Sequence, residues 1–174
     1  MKKIIAAAVL MFIGAGMVKA SNYPSDYYNQ NVRVVQAGPA IVANVSGGAM
    51  GGKYVIGYKR TGILGGAENL TAVVRTTYAS YSGGTRVTER TVQIGKEWQG
   101  TGFMTPAMSL SELAGDGDAA QLIRLELAFV SGSQWDSNWG ANYTVKSEDF
   151  RNAASYSAPS ETAVWNFILG QMRN

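Results

Sequence analysis

The sequence predicts an all-β protein, a β-sandwich of about seven to eight short strands, and three observations carry that prediction. Short apolar or β-branched runs recur along the chain. Glycine, at 21 of 174 residues, exceeds its usual ~7% and falls between those runs, as turns do. No internal repeat of fixed period stands out, so a solenoid or a propeller has no support.

The N-terminus reads as a signal. Met1-Lys2-Lys3 precedes an apolar run from Ile4 to Val18, and Val18-Lys19-Ala20 places small residues where a signal peptidase reads. Residues 1–20 are therefore expected to be a bacterial secretory signal peptide. The competing reading is an uncleaved anchor, but the run is short for a bilayer and rich in Ala and Gly. Export to the periplasm or beyond follows, with no stable membrane insertion once the signal is cut. Residues 21–174 are one domain's worth of chain. Ser21 to Asn31 reads as a loose, Tyr-rich arm, and residues 32–174 as one domain.

Loss of Lys2, Lys3 and Lys19 takes the fifteen basic residues to twelve, which equals the twelve acidic ones. No basic run is dense enough to follow a phosphate backbone, which excludes nucleic acid as an expected partner. There is no Cys and no His. Stability must come from packing, and Ser-His-Asp or Cys-His catalysis is impossible. No cofactor and no metal is expected.

Along the chain, Val32 to Gln36 and Ile41 to Val45 read as strands divided by Gly38-Pro39. Lys53 to Lys59 is a third and Leu70 to Tyr78 a fourth. Ser82-Gly83-Gly84 reads as a hairpin turn into Thr85 to Ile94, whose uneven alternation predicts a bulge. Trp98 and Phe103 fall in a less regular stretch, and Met108 to Leu113 could form a helical turn. Asp116-Gly117-Asp118 has the look of a calcium-loop start, but the rest of such a loop is missing, so a plain turn is expected. In Gln121 to Val130, Ile123, Leu125, Leu127 and Phe129 are apolar at a period of two. Thr144 and Val145 complete a later strand, and Lys146 to Pro159 is polar. After Pro159-Ser160-Glu161, the residues Val164, Trp165, Ile168, Leu169 and Met172 recur at helical spacing, with a closing strand as the alternative. Trp165 and Phe167 should contribute to the core.

Between Trp135 and Tyr143 the chain crowds three aromatics, one carboxylate and two amides into nine residues. Flat rings can lie against the apolar face of a sugar, while Asp and Asn serve its hydroxyls. The other reading is a hairpin whose aromatics plug the end of a core.

Glu126-Leu127-Ala128-Phe129, followed by Trp135, Asp136, Asn138, Gly140, Asn142 and Tyr143, is similar to the C-terminal motif of starch- and glycogen-binding modules. These are carbohydrate-binding modules of the family twenty-one and family twenty-five types, and the glycogen-targeting subunits of a protein phosphatase. Ser137 departs from the usual Asn, and Trp139 fills a variable position. Val74, Arg75 and Thr77 resemble an earlier motif of the same modules, with Ala79 replacing its acidic residue and Tyr81 standing for its Trp.

The resemblance implies an immunoglobulin-like β-sandwich that binds α-glucan without cleaving it. Tyr81 and Trp135 would stack on successive glucose rings. Asn138 and Asn142 would hydrogen-bond hydroxyls. Asp136 would do the same or cap the loop's own amides. Tyr143 would belong to the site or to the core, Trp139 would add a contact, and Gly140 would supply an unusual backbone conformation. The partner would be an α-1,4-glucan or related polysaccharide, and any glucan-acting enzyme would be a separate chain. Two other functions compete: a structural or interaction protein of the bacterial cell envelope with no sugar ligand, and a small glycoside hydrolase using Glu126 and Asp136.

Overall fold

The computed structural model describes residues 29–96 and 100–174. The expected signal peptide, most of the expected arm and Trp98 lie outside the described residues. The last two residues assigned to the arm, Gln30 and Asn31, are instead the start of the first strand.

Among the described residues, eleven strands form one antiparallel sheet. They are β1 (Gln30–Ala37), β2 (Ala40–Ser46), β3 (Lys53–Lys59), β4 (Leu70–Ser80), β5 (Thr85–Lys96), β6 (Gly102–Met104), β7 (Met108–Ser109), β8 (Ala119–Ser131), β9 (Gln134–Asp136), β10 (Tyr143–Lys146) and β11 (Ala154–Ala158). The described residues also hold two α-helices, α1 (Leu110–Ala114) and α2 (Glu161–Arg173). The strand order is β10-β8-β4-β5-β6-β3-β2-β1-β11, with β7 added on β3 and β9 on β8. The expected count of seven to eight strands is exceeded because β6, β7 and β9 are only two or three residues long.

The sheet has two limbs, β10-β8-β4-β5 and β6-β3-β2-β1-β11, joined where β5 pairs with β6. They face each other across one core. Ala40, Val42, Ile56 and Tyr58 of the second limb pack with Leu70, Ala72, Val74, Leu125, Leu127 and Phe129 of the first. The opposite face of the second limb is also covered. Val32, Val34, Ile41, Ala43, Val45 and Val55 meet Val164, Ile168, Leu169 and Met172 of α2. Burial on both faces explains why β2 reads Ala-Ile-Val-Ala-Asn-Val instead of alternating.

The helical spacing after Pro159 holds, and the closing-strand alternative is set aside. Ser160 caps α2 by accepting from the Ala163 amide at 3.2 Å. Trp165 and Phe167 are partly buried against this second core. Within Lys146 to Pro159, β11 was not legible, because Ala154 to Ser157 are all exposed and show no alternation.

The bulge expected in β5 is absent. Its pairing with β4 runs unbroken from Leu70–Ile94 to Ala79–Thr85. The strand alternates poorly because most of its length is exposed, so neither face is selected for hydrophobicity. The irregularity lies between β4 and β8, where Thr77 pairs with Arg124 but Tyr78 pairs with Leu122. Ile123 is the extra residue. It was expected inside and is 38% exposed, while Leu122 takes the inward place.

The docking of α2 is testable. Ile168 is fully buried. Ile168→Ala should lower unfolding free energy by about 2–5 kcal/mol in urea titrations. A loss below about 1 kcal/mol would show that α2 does not pack as described.

Candidate functional site

The segment from Trp135 to Tyr143 divides by the alternation of β9. Asp136 points inward and is 6% exposed, while Trp135 beside it is 57% exposed. Asp136 Oδ2 accepts the Tyr58 hydroxyl at 2.5 Å, and Oδ1 accepts the Tyr143 hydroxyl. Tyr58 Oη in turn accepts the Leu64 amide at 3.1 Å. Tyr58 lies on β3 of one limb, and Asp136 and Tyr143 lie on the other. The carboxylate therefore ties the two limbs together at one end of the core. A carboxylate this far removed from bulk water needs such donors.

Two glycines make the space. A Cβ on Gly62 would stand 2.4 Å from the Tyr58 hydroxyl oxygen, and one on Gly38 would stand 2.9 Å from the Tyr143 ring. Phe129 completes the group, tilted against Tyr58 with ring centroids 4.6 Å apart and against Tyr143 at 6.1 Å. Burial, followed by the hydrogen bond to Asp136, pushes the Tyr143 phenol up to about 12. The same two causes raise Tyr58 further.

Asp136 was expected to serve ligand hydroxyls or to cap the loop's own amides, and Tyr143 to belong to the site or to the core; the structure turns both side chains inward. Their polar atoms are spent on each other and on Tyr58. The pairing of Glu126 with Asp136 across a cleft is also absent. Asp136 is inside with Phe129, its partner across the strands, whereas Glu126 belongs to the outward set of β8.

Outside this knot the loop turns left-handed. Asn138, Trp139 and Asn142 have φ of 50°, 59° and 58°, and Gly140 has 87°. Backbone bonds hold the turn: the Gly140 amide donates to Ser137 O at 3.0 Å, Ala141 to Asn138 O at 3.1 Å and Asn142 to Ser137 O at 2.8 Å. Gly140 supplies the conformation expected of it. Trp139 does not suit it, since the left-handed region costs an L-residue roughly 1–2 kcal/mol. No packing offsets that cost, because Trp139 is fully exposed.

Trp139 and Trp135 line a groove of about 700 Å³ with Pro39, Thr61, Ile63 and Asn138. Ile63 is 78% exposed, so three large apolar side chains face solvent around one depression. Sequence reasoning missed Ile63 and Thr61. They come from the turn after β3, and only the β1–β2 and β3 ends folding beside β9 reveal them.

Tyr81 is exposed but lies elsewhere. Trp135 pairs with Val130, and Val130 with Thr71, whereas Tyr81 sits beyond the far end of β4. Ten residues of strand separate the two positions, roughly 30 Å. Tyr81 and Trp135 cannot stack on successive rings, which are joined through a single oxygen.

Near Tyr81, the Asp116-Gly117-Asp118 turn is used internally. Asp116 accepts from the Tyr78 hydroxyl and from Arg86, and Asp118 accepts from the Ser80 and Ser82 hydroxyls. These bonds hold both carboxyls below the usual Asp range. No cluster of metal-ligating side chains occurs among the described residues.

The chain matches no protein-family model, no curated protein and no solved structure.

Two outcomes follow from the knot. Asp136→Asn replaces an acceptor with an amide donor facing a phenol, and should cost about 2–3 kcal/mol in chemical denaturation. The phenols give a pH signature. Their folded values lie above the ordinary 10.0, so their contribution is complete below pH 10 and lost as pH rises toward about 12 and beyond. Stability should fall from about pH 10 toward about pH 12 and beyond, and less steeply in Tyr143→Phe. Identical slopes would remove Tyr143 from the account.

Proposed function

We propose that the protein is a non-catalytic binder of an α-glucan, a starch- or glycogen-like polysaccharide, through the groove between Trp135 and Trp139. One observation carries the reading: a fully exposed tryptophan is held by the backbone bonds of its turn in a left-handed conformation whose cost no packing of its side chain offsets. Such a side chain contributes nothing to folding, so its use lies in contact with something outside. The groove it lines offers indole faces and an aliphatic side chain to the apolar face of a pyranose. Asn138 and Thr61 supply polar atoms at the rim. A curved α-glucan suits rings that are not coplanar, and each stacking contact adds a modest increment, so single-site affinity should be weak.

The motif from Glu126 to Tyr143 points the same way. The immunoglobulin-like sandwich it implies belongs with this proposal, supported by two limbs that face one another across a shared core. Export, resting on the run from Ile4 to Val18, belongs with it too.

The second reading, an envelope interaction protein without a sugar ligand, draws on the inward use of Asp136 and Tyr143. Trp139→Gly separates the two. It should leave unfolding free energy unchanged or raise it by up to ~1 kcal/mol, because glycine accepts a positive φ freely. In native gels cast with glycogen or amylopectin, the unaltered protein should be retarded, and Trp139→Gly and Trp135→Ala should run faster. Equal migration of all three, with and without polysaccharide, would refute the glucan assignment.

A further inference from the structure

Resting on the glucan reading, we infer that Trp135 is shared between two sugar subsites, and that the second lies on the outer face of β4, β5 and β8. Alternation places the Trp135 side chain on the outward face of β9, opposite to Asp136. Strand register then fixes what lies beside it. Val73 pairs with Ala128, and one row further on Glu89, Arg75 and Glu126 stand directly across three neighbouring strands. With Trp135, Ser137 and Asn142, these residues enclose a second depression of about 330 Å³. Trp135 and Ser137 line both this depression and the groove on the Trp139 side.

The second depression has the composition that a hexose unit requires. Its floor is Val73 and Ala128, and one wall is an indole. Arg75 and Glu126 stand at its rim, with Arg75 Nε 3.7 Å from Glu126 Oε2 and the side chain of Arg75 51% exposed. Arg124 Nε is 3.4 Å from the same oxygen. Glu126 Oε2 is shielded from solvent between these two guanidinium groups, so the side chain meets the depression through the rest of its carboxylate, 18% exposed overall. A vicinal diol suits this pair at the rim: one hydroxyl accepts from the half-exposed Arg75 guanidinium while its neighbour donates to the accessible side of the Glu126 carboxylate. Asn142, half-buried in the same wall, offers both a donor and an acceptor.

The ligand is therefore an oligosaccharide long enough to cross the indole, with one unit in the Trp139 groove and a later unit against Arg75 and Glu126. Short and long chains should differ in affinity, and the difference should reside on the sheet face.

Titration calorimetry of the full-length mature protein with maltotriose and maltoheptaose tests this. Maltoheptaose should bind about tenfold more tightly, and Glu126→Gln should remove most of that advantage while leaving maltotriose nearly unaffected. Arg75→Ala should act in the same direction, and thermal melts of both variants report whether the sheet is intact. Trp139→Gly, by contrast, should weaken both ligands. Equal affinity for the two oligosaccharides, or an equal loss for both in Glu126→Gln, overturns the second subsite while the glucan reading stands. Binding of neither ligand overturns the glucan reading itself.

Discussion

The carboxylate of Asp136, gripped by the hydroxyls of Tyr58 and Tyr143, is the constraint on which the rest of the molecule depends. A sheet whose limbs, among the described residues, are joined in the ladder where β5 meets β6 needs a second tie, and this one sits at the end of the core where the loops converge. The tie is polar, buried and directional, so it fixes register as well as proximity. Burying Asp136 also determines the direction of its neighbour. On a strand the adjacent residue must face the other way, and Trp135 is therefore presented to solvent. The aromatic surface outside is a geometric consequence of the anchor inside.

The same logic accounts for the glycines and the turns around the site. Gly38 and Gly62 lie where any side chain would collide with the two tyrosines. Their turns bring Pro39, Thr61 and Ile63 beside the Trp139 loop. The groove is thus built from three separate connections that converge because the anchor beneath them leaves room for nothing else. At the opposite end of β4, Asp116 and Asp118 perform a comparable service for the β4–β5 hairpin, there at the surface and with Arg86 as an added partner.

Much of the fold was legible in the sequence. The strands from β1 to β5, the hairpin at Ser82-Gly83-Gly84 and the C-terminal helix all carry local signals: β-branched runs, paired glycines, or a serine cap ahead of apolar residues at helical spacing. What was not legible depended on pairing. The bulge at Ile123 follows from the register of β8 against β4, which no single segment encodes. The strand β11 exposes four of its five residues and has no apolar period to read. The site was half legible. Composition picked out the Trp135 to Tyr143 loop, but it could not tell which side chains face inward. The role of Asp136 became clear only once Tyr58, 78 positions away in sequence, was beside it. Tyr81 was placed in the site by motif similarity, and strand length moved it out.

The braced left-handed turn has one further consequence. Its own amides and carbonyls already hold Asn138, Trp139 and Gly140 in position before any ligand arrives. A partner docking there meets a surface that needs no rearrangement, so little ordering entropy is charged against the encounter. Capture should then proceed at a rate set by diffusion and orientation, and the contrast between good and poor ligands should be expressed in how long they stay.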